Sequence, residues 1–213
     1  MTNFEDAAVA VIDLAHRTAA KGWLPATSGN LSVRVGESPL TFAITRSGAD
    51  KTKLVREDIL LVDSKMEVLI GKHAKPSAET TVHTGLYQRL GVSCILHVHT
   101  VENNVISDVH GDTHGLWLSN HELLKALGHW EPDAQIWLPI VENWSDLETL
   151  GKAVTDAATA DVPGVLVRNH GIYAYGDTPA AALRHLEAFE FLFRYLITVR
   201  AYFASLPDSV SKL

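Results

Sequence analysis

The sequence lacks the features that direct a protein to a membrane or to an oxidising compartment. It has one cysteine in 213 residues, Cys94, so no disulfide can form within the chain. It has no apolar run of about 18 residues, the length that a membrane-spanning helix needs. The first residues lack the basic and apolar segments of a signal peptide. We therefore expect a cytoplasmic protein that does not span a membrane.

Runs of basic residues are missing as well. The formal net charge is −7 and the acids are dispersed along the chain, so no basic stripe could follow a nucleic-acid backbone or an anionic membrane. An acidic chain can still bind a phosphorylated metabolite, because backbone N–H groups and a metal ion supply local positive charge. We expect a small-molecule partner rather than nucleic acid or membrane.

The order of predicted elements indicates one domain, 1–213, because no linker, repeat or low-complexity tract interrupts it. Apolar periodicity and turn residues predict helices at 3–21, 77–90, 103–109, 120–127, 146–160 and 179–203, and strands at 31–35, 40–45, 59–62, 68–70, 94–100, 135–141, 165–168 and 172–175. Because strands cluster with helices between them, we expect an α/β fold whose sheet is mixed or largely antiparallel, with helices on both faces.

Two histidines on one predicted strand suggest a metal site. Residues two apart on a strand point to the same face, so His97 and His99 can bind one ion. A lone His-X-His pair is more often structural, but His170, in an Asn-His-Gly turn, offers a third imidazole. Three imidazoles with an open fourth position are typical of a catalytic site, whereas structural zinc prefers four ligands and cysteine. We take zinc as the default ion, although iron, manganese and cobalt also suit three imidazole ligands. Two other histidines, His114 and His121, are rival candidates for the third ligand.

Three turns rich in small residues could bind a phosphate group. They are Thr27-Ser-Gly-Asn30, Thr45-Arg-Ser-Gly48 and Lys75-Pro-Ser-Ala-Glu79. Glycine and serine let the backbone approach an anion, and a helix that begins after the third turn would add its dipole. Each turn alone is more simply an ordinary polar turn or a helix cap. Together they predict phosphate binding by Ser28, Gly29, Asn30, Ser47, Gly48 and Ser77.

Two glutamates are candidates for proton transfer. Glu79 ends the third turn, and Glu122 begins a predicted helix in a Ser-Asn-His-Glu-Leu-Leu-Lys segment. A glutamate in the first turn of a helix is commonly explained by the helix dipole alone. The residues by themselves therefore leave the role of Glu122 open.

Taken in order along the chain, the three turns, the His-Val-His strand and the Asn-His-Gly turn resemble the class II aldolase and adducin family. The resemblance spans nearly the whole sequence. It implies an α/β/α sandwich around a mainly antiparallel sheet, usually assembled as a homotetramer. It also implies that His97, His99 and His170 bind a divalent metal, that the turns hold the phosphate of a sugar phosphate, and that Glu122 and Glu79 transfer protons.

Within the family, segment 119–125 and the tail 173–190 are most similar to members that remove water from a sugar phosphate. The resemblance then implies a hydro-lyase acting on a ketose 1-phosphate with a methylthio group on C5, with Glu122 as the main acid/base and Glu79 in a secondary role. A sugar-phosphate aldolase or epimerase, which shares the metal and phosphate sites, is the first alternative. A non-catalytic interaction domain, as in adducins, is the second, and the retention of all three histidines argues against it.

Overall fold

The computed structural model describes residues 3–205. The helices of this part are α1 Phe4–Ala20, α2 Thr80–Leu90, α3 Val101–Val109, α4 Leu147–Ala157 and α5 Pro179–Ala204. The strands are β1 Asn30–Glu37, β2 Leu40–Thr45, β3 Ile59–Asp63, β4 Val68–Ile70, β5 Cys94–Val98, β6 Gly115–Ser119, β7 Gln135–Val141, β8 Gly164–Val167 and β9 Gly171–Gly176. The one-domain prediction covers 1–213, of which 1–2 and 206–213 lie outside the described residues, and it stays a prediction.

The described strands form one sheet of nine, in the order β4-β3-β2-β1-β5-β9-β8-β7-β6. Neighbouring strands run antiparallel except β7 and β8, which are parallel. The expectation of a mainly antiparallel sheet is confirmed. Strand β5 lies in the middle of the sheet, between β1 and β9, and its five residues are all buried.

Helices cover both faces of the sheet, so the interior divides into two apolar layers. On β9, Ile172 and Ala174 pack into the layer beneath α1, α3 and α5, whereas Tyr173 and Tyr175 pack into the layer beneath α2 and α4. This division follows from the alternation of side chains along a strand. The predicted α/β sandwich is therefore confirmed. Across residues 3–205, none of the helices combines the length and the apolar character needed to cross a membrane.

The predicted elements agree with the structure apart from a few boundaries and one strand. Helix α2 begins at Thr80 rather than at residue 77, and the segment predicted as helix 120–127 is a 3₁₀ helix at Glu122–Leu127. Strand β6 was not predicted. Its outward-facing Trp117 packs against Trp137 of β7, with ring centroids 5.3 Å apart, so an apolar residue occupies the position where alternation would place a polar one.

The long helix α5 carries a buried acid, Glu190, that fixes the start of α3. Thr100, the N-cap of α3, donates its hydroxyl to Glu190 Oε2 at 2.8 Å, and Asn103 Nδ2 donates to Oε1 at 2.9 Å. Burial raises the pKa of Glu190 to about 7, although these two hydrogen bonds act in the opposite direction. Because Thr100 follows His99 directly, the contact also anchors the end of the histidine-bearing segment.

We predict that Glu190→Gln removes a pH dependence of stability. Because the pKa of folded Glu190 is raised, folding favours the protonated form. This contribution is fully present below the ordinary pKa of 4.5 and is lost as pH rises through about 7. The free energy of unfolding of the wild type minus that of Glu190→Gln should therefore fall by about 3 kcal/mol between pH 4.5 and pH 8.

Urea denaturation at one fixed subunit concentration measures this difference. The matched control is Glu187→Gln, on the same helix, whose carboxylate is partly exposed and lies 3.4 Å from Lys21. The control should follow the wild-type pH curve. Parallel curves for wild type and Glu190→Gln across this pH range would contradict the prediction.

Candidate metal centre and active site

The sheet register places three polar side chains in a row across its centre. Asn30 on β1 is paired with His97 on β5, and His97 is paired with Tyr173 on β9. Directly opposed residues of antiparallel strands point to the same face, so these side chains lie side by side beneath α2. The rings of His97 and Tyr173 stack, with centroids 4.0 Å apart and planes 13° apart.

Three histidines converge at one end of this row. His99 lies one residue past β5, and its backbone N–H donates to Trp23 O at 3.0 Å. His170 lies in the turn between β8 and β9. The ring centroids are 4.7 Å apart for His97 and His99, 5.0 Å for His97 and His170, and 4.6 Å for His99 and His170. The structure therefore brings together the three predicted imidazoles, with one nitrogen of each within 4.8 Å of the others.

The turn that carries His170 depends on its two neighbours. Asn169 adopts a left-handed conformation with φ of 51°, which asparagine tolerates better than most residues, and its side chain donates to Asp108 Oδ1 at 2.8 Å. Gly171 lies against the histidine-bearing strand, where a Cβ would come within 2.3 Å of Val98 O and 2.8 Å of His99 Cδ2. Asn104 Nδ2 donates to His170 O at 3.0 Å, which ties this turn to α3.

The imidazoles of His97 and His99 are held neutral. Burial lowers the pKa of His97 to about 4, and burial together with the neighbouring His97 lowers the pKa of His99 to about 3. His97 donates its Nδ1 proton to Ile172 O at 3.0 Å, so its Nε2 presents a lone pair. That Nε2 lies 2.8 Å from Nε2 of His99. Neutral imidazoles with fixed tautomers are the form that binds metal ions.

Glu79 completes the cluster from the N-cap position of α2. Its Oε2 lies 3.2 Å from His97 Nε2 and its Oε1 lies 3.2 Å from His170 Nε2. Tyr173 donates its hydroxyl to Oε2 at 2.6 Å, and Asn30 Nδ2 donates to the same oxygen at 2.9 Å. Burial disfavours the charged form, but the histidines and these two donors outweigh it and hold the pKa of Glu79 well below its usual range.

These groups suit a divalent cation. The lone pair on Nε2 of His97 faces Oε2 of Glu79 at 3.2 Å, a contact that a cation between them turns from repulsive to attractive. Tetrahedral zinc with ligands at 2.0 to 2.1 Å separates those ligands by about 3.3 Å, close to this distance. The chemistry of the donor set therefore fits a metal ion, and zinc is one of several that it suits.

The three predicted phosphate turns lie next to one another. Ser47 N–H donates to Lys75 O at 2.9 Å, which joins the second turn to the third. The first turn has an unusual backbone, with positive φ at Ala26, Thr27 and Gly29. Such strained backbone is commonly kept at ligand-binding sites. The Ser28 hydroxyl is buried and has no hydrogen-bond partner among the described residues, so it is available to a ligand.

Sequence reasoning missed Lys51 at this site. Lys51 follows the second turn, is 3% exposed, and donates Nζ to Thr27 O at 2.7 Å, which ties the first turn to the second. Burial and the nearby Arg46 lower the pKa of Lys51. The positive charge of Lys51 interacts electrostatically with both Glu79 and His99. The signal in the sequence was a lysine three residues after Gly48, which nothing local distinguishes from a surface lysine.

Asn30 and Ser77 differ from what their turns suggested. Both polar groups of the Asn30 side chain face protein partners, Glu79 and His83, within the core. Ser77 precedes α2 by three residues instead of capping it, and its Oγ accepts from Glu79 N–H at 3.4 Å. Phosphate contacts by these two residues, and by Ser28, Gly29, Ser47 and Gly48, stay predictions.

Glu122 lies apart from the histidine cluster. Its side chain is 78% exposed, and its contact among the described residues is an ion pair with Lys125 at 2.8 Å. It opens onto a surface cavity of about 480 Å³ that Lys125, His129 and Trp130 also line. The rival ligand His121 packs its ring against Tyr195 of α5 instead, and the other, His114, is exposed.

Comparison with known proteins places these features in a family. Residues 9–197 match the model of the class II aldolase and adducin N-terminal domain. The chain is 46% identical over 193 residues to methylthioribulose-1-phosphate dehydratase of Exiguobacterium sp., covering 91% of this chain and 94% of that protein. It is 48% identical over 183 residues to methylthioribulose-1-phosphate dehydratase of Bacillus subtilis, covering 85% and 88%.

Solved structures share the fold at lower identity. L-fuculose-1-phosphate aldolase from Thermus thermophilus superposes with a TM-score of 0.73 at 24% identity, covering 93% of this chain and 97% of that one. A sugar-phosphate aldolase from Thermotoga maritima gives a TM-score of 0.72 at 19% identity, covering 90% and 94%. At these identities the likeness concerns the fold alone.

We predict that Gly171→Ala weakens metal binding. The new Cβ would press on Val98 O, on His99 Cδ2 and on His97 Cε1, at 2.3, 2.8 and 3.0 Å, so the imidazoles must move. Groups that orient metal-binding histidines typically change affinity by about 10- to 100-fold when altered, and we expect a loss in that range. Competitive titration of zinc with a chromophoric chelator measures it.

The matched control is Gly85→Ala on α2. There the added Cβ would lie 2.2 Å from Thr155 Oγ1, a side-chain atom of α4 that can rotate away, and none of its near contacts is a metal-binding histidine. Gly85→Ala should keep the wild-type zinc affinity. Equal affinities for Gly171→Ala and wild type would refute the prediction.

Proposed function

The chain belongs to the class II aldolase and adducin family, and on that premise we propose that it dehydrates 5-methylthioribulose 1-phosphate to 2,3-diketo-5-methylthiopentyl 1-phosphate. It is then a hydro-lyase of methionine salvage, working in the cytoplasm. The observation that carries the proposal is the identity of 46% and 48% with two methylthioribulose-1-phosphate dehydratases over most of both chains. The buried group of three histidines and Glu79 supports it, because this reaction requires acidification of a C–H bond.

We assign the metal ligands to His97, His99 and His170, with one zinc ion per subunit. When bound, the metal supplies Lewis-acid chemistry that acidifies the proton on the carbon next to the substrate carbonyl. The neutral state of His97 and His99 and the fixed tautomer of His97 favour this assignment. Glu79 lies beside these imidazoles with its carboxylate ionised, where it balances positive charge.

The phosphate group of the substrate is assigned to the three turns. The hydroxyl of Ser28, which has no partner among the described residues, and the positive-φ backbone at Gly29 and Gly48 offer polar groups to an anion. Lys51 adds a buried cation beside the first turn. Phosphate held there fixes the position of the sugar carbons relative to the histidines, which is the main contribution that binding makes to such a reaction.

Glu122 is assigned the proton transfers that distinguish dehydration from aldol cleavage. As a base it takes the C3 proton, and as an acid it returns a proton to the C4 hydroxyl, which departs as water. The resulting enol ketonises to the 2,3-diketone, so the overall change is the loss of one water molecule. An aldolase instead removes the proton of the C4 hydroxyl and breaks the C3–C4 bond, and therefore needs its proton acceptor at a different position.

Because Glu122 is exposed and pairs with Lys125, we propose that it acts across a subunit boundary in a homotetramer. In that assembly, Glu122 of one subunit reaches the histidine cluster of the next. Large apolar side chains surround this region on the surface: Trp130 is 69% exposed, Phe191 52% and Tyr195 46%. A contact between subunits would cover them, as is typical of interface cores, which are rich in aromatic residues.

We predict that the purified protein converts 5-methylthioribulose 1-phosphate to a product lighter by one water, and that a chelator abolishes this activity until zinc is restored. Mass spectrometry and phosphorus NMR of the reaction mixture measure substrate and product. Manganese, iron(II) and cobalt are added in parallel to the stripped protein to find which ion serves best.

Two results would overturn the proposal. Release of dihydroxyacetone phosphate and an aldehyde from a ketose 1-phosphate, with methylthioribulose 1-phosphate unchanged, would identify an aldolase. A protein that purifies without stoichiometric metal and turns over none of these substrates would identify a non-catalytic domain of the same fold.

We predict that Glu122→Gln lowers kcat by at least about 100-fold, the usual contribution of a general acid or base. Zinc content should stay stoichiometric because Glu122 is not among the assigned metal ligands. The matched control is Glu148→Gln, another acid in the first turn of a helix, which should keep wild-type activity. Full activity of Glu122→Gln would remove this residue from the mechanism.

Mixed oligomers test the subunit boundary directly. Glu122→Gln and His97→Ala subunits, each inactive alone, are co-expressed and purified as hybrids through two different tags. If Glu122 acts across the boundary, a site formed by intact histidines of one subunit and intact Glu122 of the other regains activity. Hybrids as inactive as their parents would place Glu122 and the histidines of each site in the same subunit.

A further inference from the structure

A chain of buried polar side chains leads from Glu79 away from the histidines into the core. Asn30 Oδ1 lies 2.5 Å from His83 Nε2, His83 Nδ1 lies 2.6 Å from Ser32 Oγ, and Ser32 Oγ lies 2.6 Å from the Tyr87 hydroxyl. His83 and Ser32 are 0% exposed, Tyr87 2% and Asn30 4%. Apart from the Asn30 contact with Glu79, none of these groups belongs to the metal or phosphate sites described above.

Regular secondary structure builds this chain. Glu79, His83 and Tyr87 are four residues apart, so they follow one face of α2 from its N-cap. Asn30 and Ser32 are two residues apart on β1 and share the face of the sheet beneath that helix. The contact between α2 and β1 therefore consists of alternating polar groups where two apolar faces would ordinarily meet.

The direction of every hydrogen bond in the chain follows from its ends. The Glu79 carboxylate can only accept, so Asn30 turns its NH₂ group toward it and its Oδ1 toward His83. His83 must then donate from Nε2, which leaves Nδ1 to accept from the Ser32 hydroxyl. Tyr87 in turn donates to Ser32 Oγ. Burial lowers the pKa of His83 to about 4, in keeping with a neutral ring that carries one proton.

We infer that His83 is a positioning residue that sets the orientation of Asn30 and, through it, the orientation of the Glu79 carboxylate. Without an N–H at this place, Asn30 Oδ1 has no donor, and the amide is held by its bond to Glu79 alone. Asn30 can then turn away from the carboxylate, and Glu79, with one fixed donor fewer, can rotate away from Nε2 of His97 and His170. A leucine at this position would fill similar space without burying polar groups, so the histidine is explained by the hydrogen bond it donates.

The kinetic test is a double-mutant cycle, and it rests on the proposed function for its substrate. We expect His83→Leu to lower kcat by about 100-fold, as for a misplacement of about 1 Å, with KM within about threefold and zinc content unchanged. Asn30→Ala should lower kcat similarly. If His83 acts through Asn30, the double variant is no worse than Asn30→Ala alone. Additive losses, or equal changes in kcat and KM, would overturn the inference.

Conservative replacement separates positioning from packing. The side-chain amide of His83→Gln can donate to Asn30 Oδ1, so this variant should recover most of the kcat that His83→Leu loses. The control is His185→Gln on α5, where the replaced ring contacts Tyr175 O at 2.7 Å and lies outside the chain of hydrogen bonds; it should keep wild-type kcat. If His83→Gln is as slow as His83→Leu although both fold, the donated hydrogen bond is not what matters.

A second measurement needs neither substrate nor catalytic activity. Long-range proton–nitrogen NMR spectra are recorded on protein labelled with ¹⁵N at histidine. The signals of the His83 ring are identified because they are absent from the spectrum of His83→Gln. We expect a neutral ring protonated at Nε2 throughout pH 6 to 8. A ring protonated at Nδ1, or an imidazolium, would overturn the inference. If the wild type fails to dehydrate the substrate, the proposed function is wrong, whereas this measurement still decides the role of His83.

Discussion

The convergence of three imidazoles and one carboxylate on one point is the constraint on which the site depends. One nitrogen of each histidine lies within 4.8 Å of the others, and the Glu79 oxygens lie 3.2 Å from Nε2 of His97 and of His170. The lone pair of His97 Nε2 faces a Glu79 oxygen, which is favourable around a cation and costly without one. The polypeptide must hold these groups in place whether or not an ion is bound. It does so by placing them on and beside the central strands of a nine-stranded sheet that lies between two layers of helices.

Each side of the cluster is held by its own set of contacts. Tyr173 stacks on His97 from β9, and Ile172 O fixes the His97 tautomer. On the side of α5, Glu190 holds Thr100 and Asn103 at the start of α3, and Asn104 of that helix holds the turn of His170. Glu190 thus supports the site although it contacts Thr100 and Asn103 rather than an imidazole. The effect of these contacts is to restrict motion, which keeps the donor atoms together.

What could be predicted from the sequence was mostly local. The shared face of His97 and His99 follows from the two-residue period of a strand, and Gly171 marked the turn of His170. The contact of Asn30 with Glu79 joins residues 49 apart in sequence, and that of Tyr173 with Glu79 joins residues 94 apart. Such contacts depend on the register of β1, β5 and β9, which no local pattern sets. The edge strand β6 was missed although its signal is local. Its outward-facing residue Trp117 is apolar, so the alternation of polar and apolar residues that predicts a strand is not visible there.

The contrast between Glu79 and Glu122 bears on how one fold supports different reactions. Glu79 accepts bonds from Asn30 and Tyr173 and lies against two histidines, so a change at this position disturbs the whole cluster. Glu122, exposed on a short 3₁₀ helix, can be exchanged for another residue without disturbing the sheet. Removing the C3 proton and removing the C4 hydroxyl proton differ mainly in where the proton-transfer group lies. On the proposed assignment, the metal and phosphate sites lie in the core and the proton-transfer group lies on the surface, so the fold could change reaction by changing surface residues.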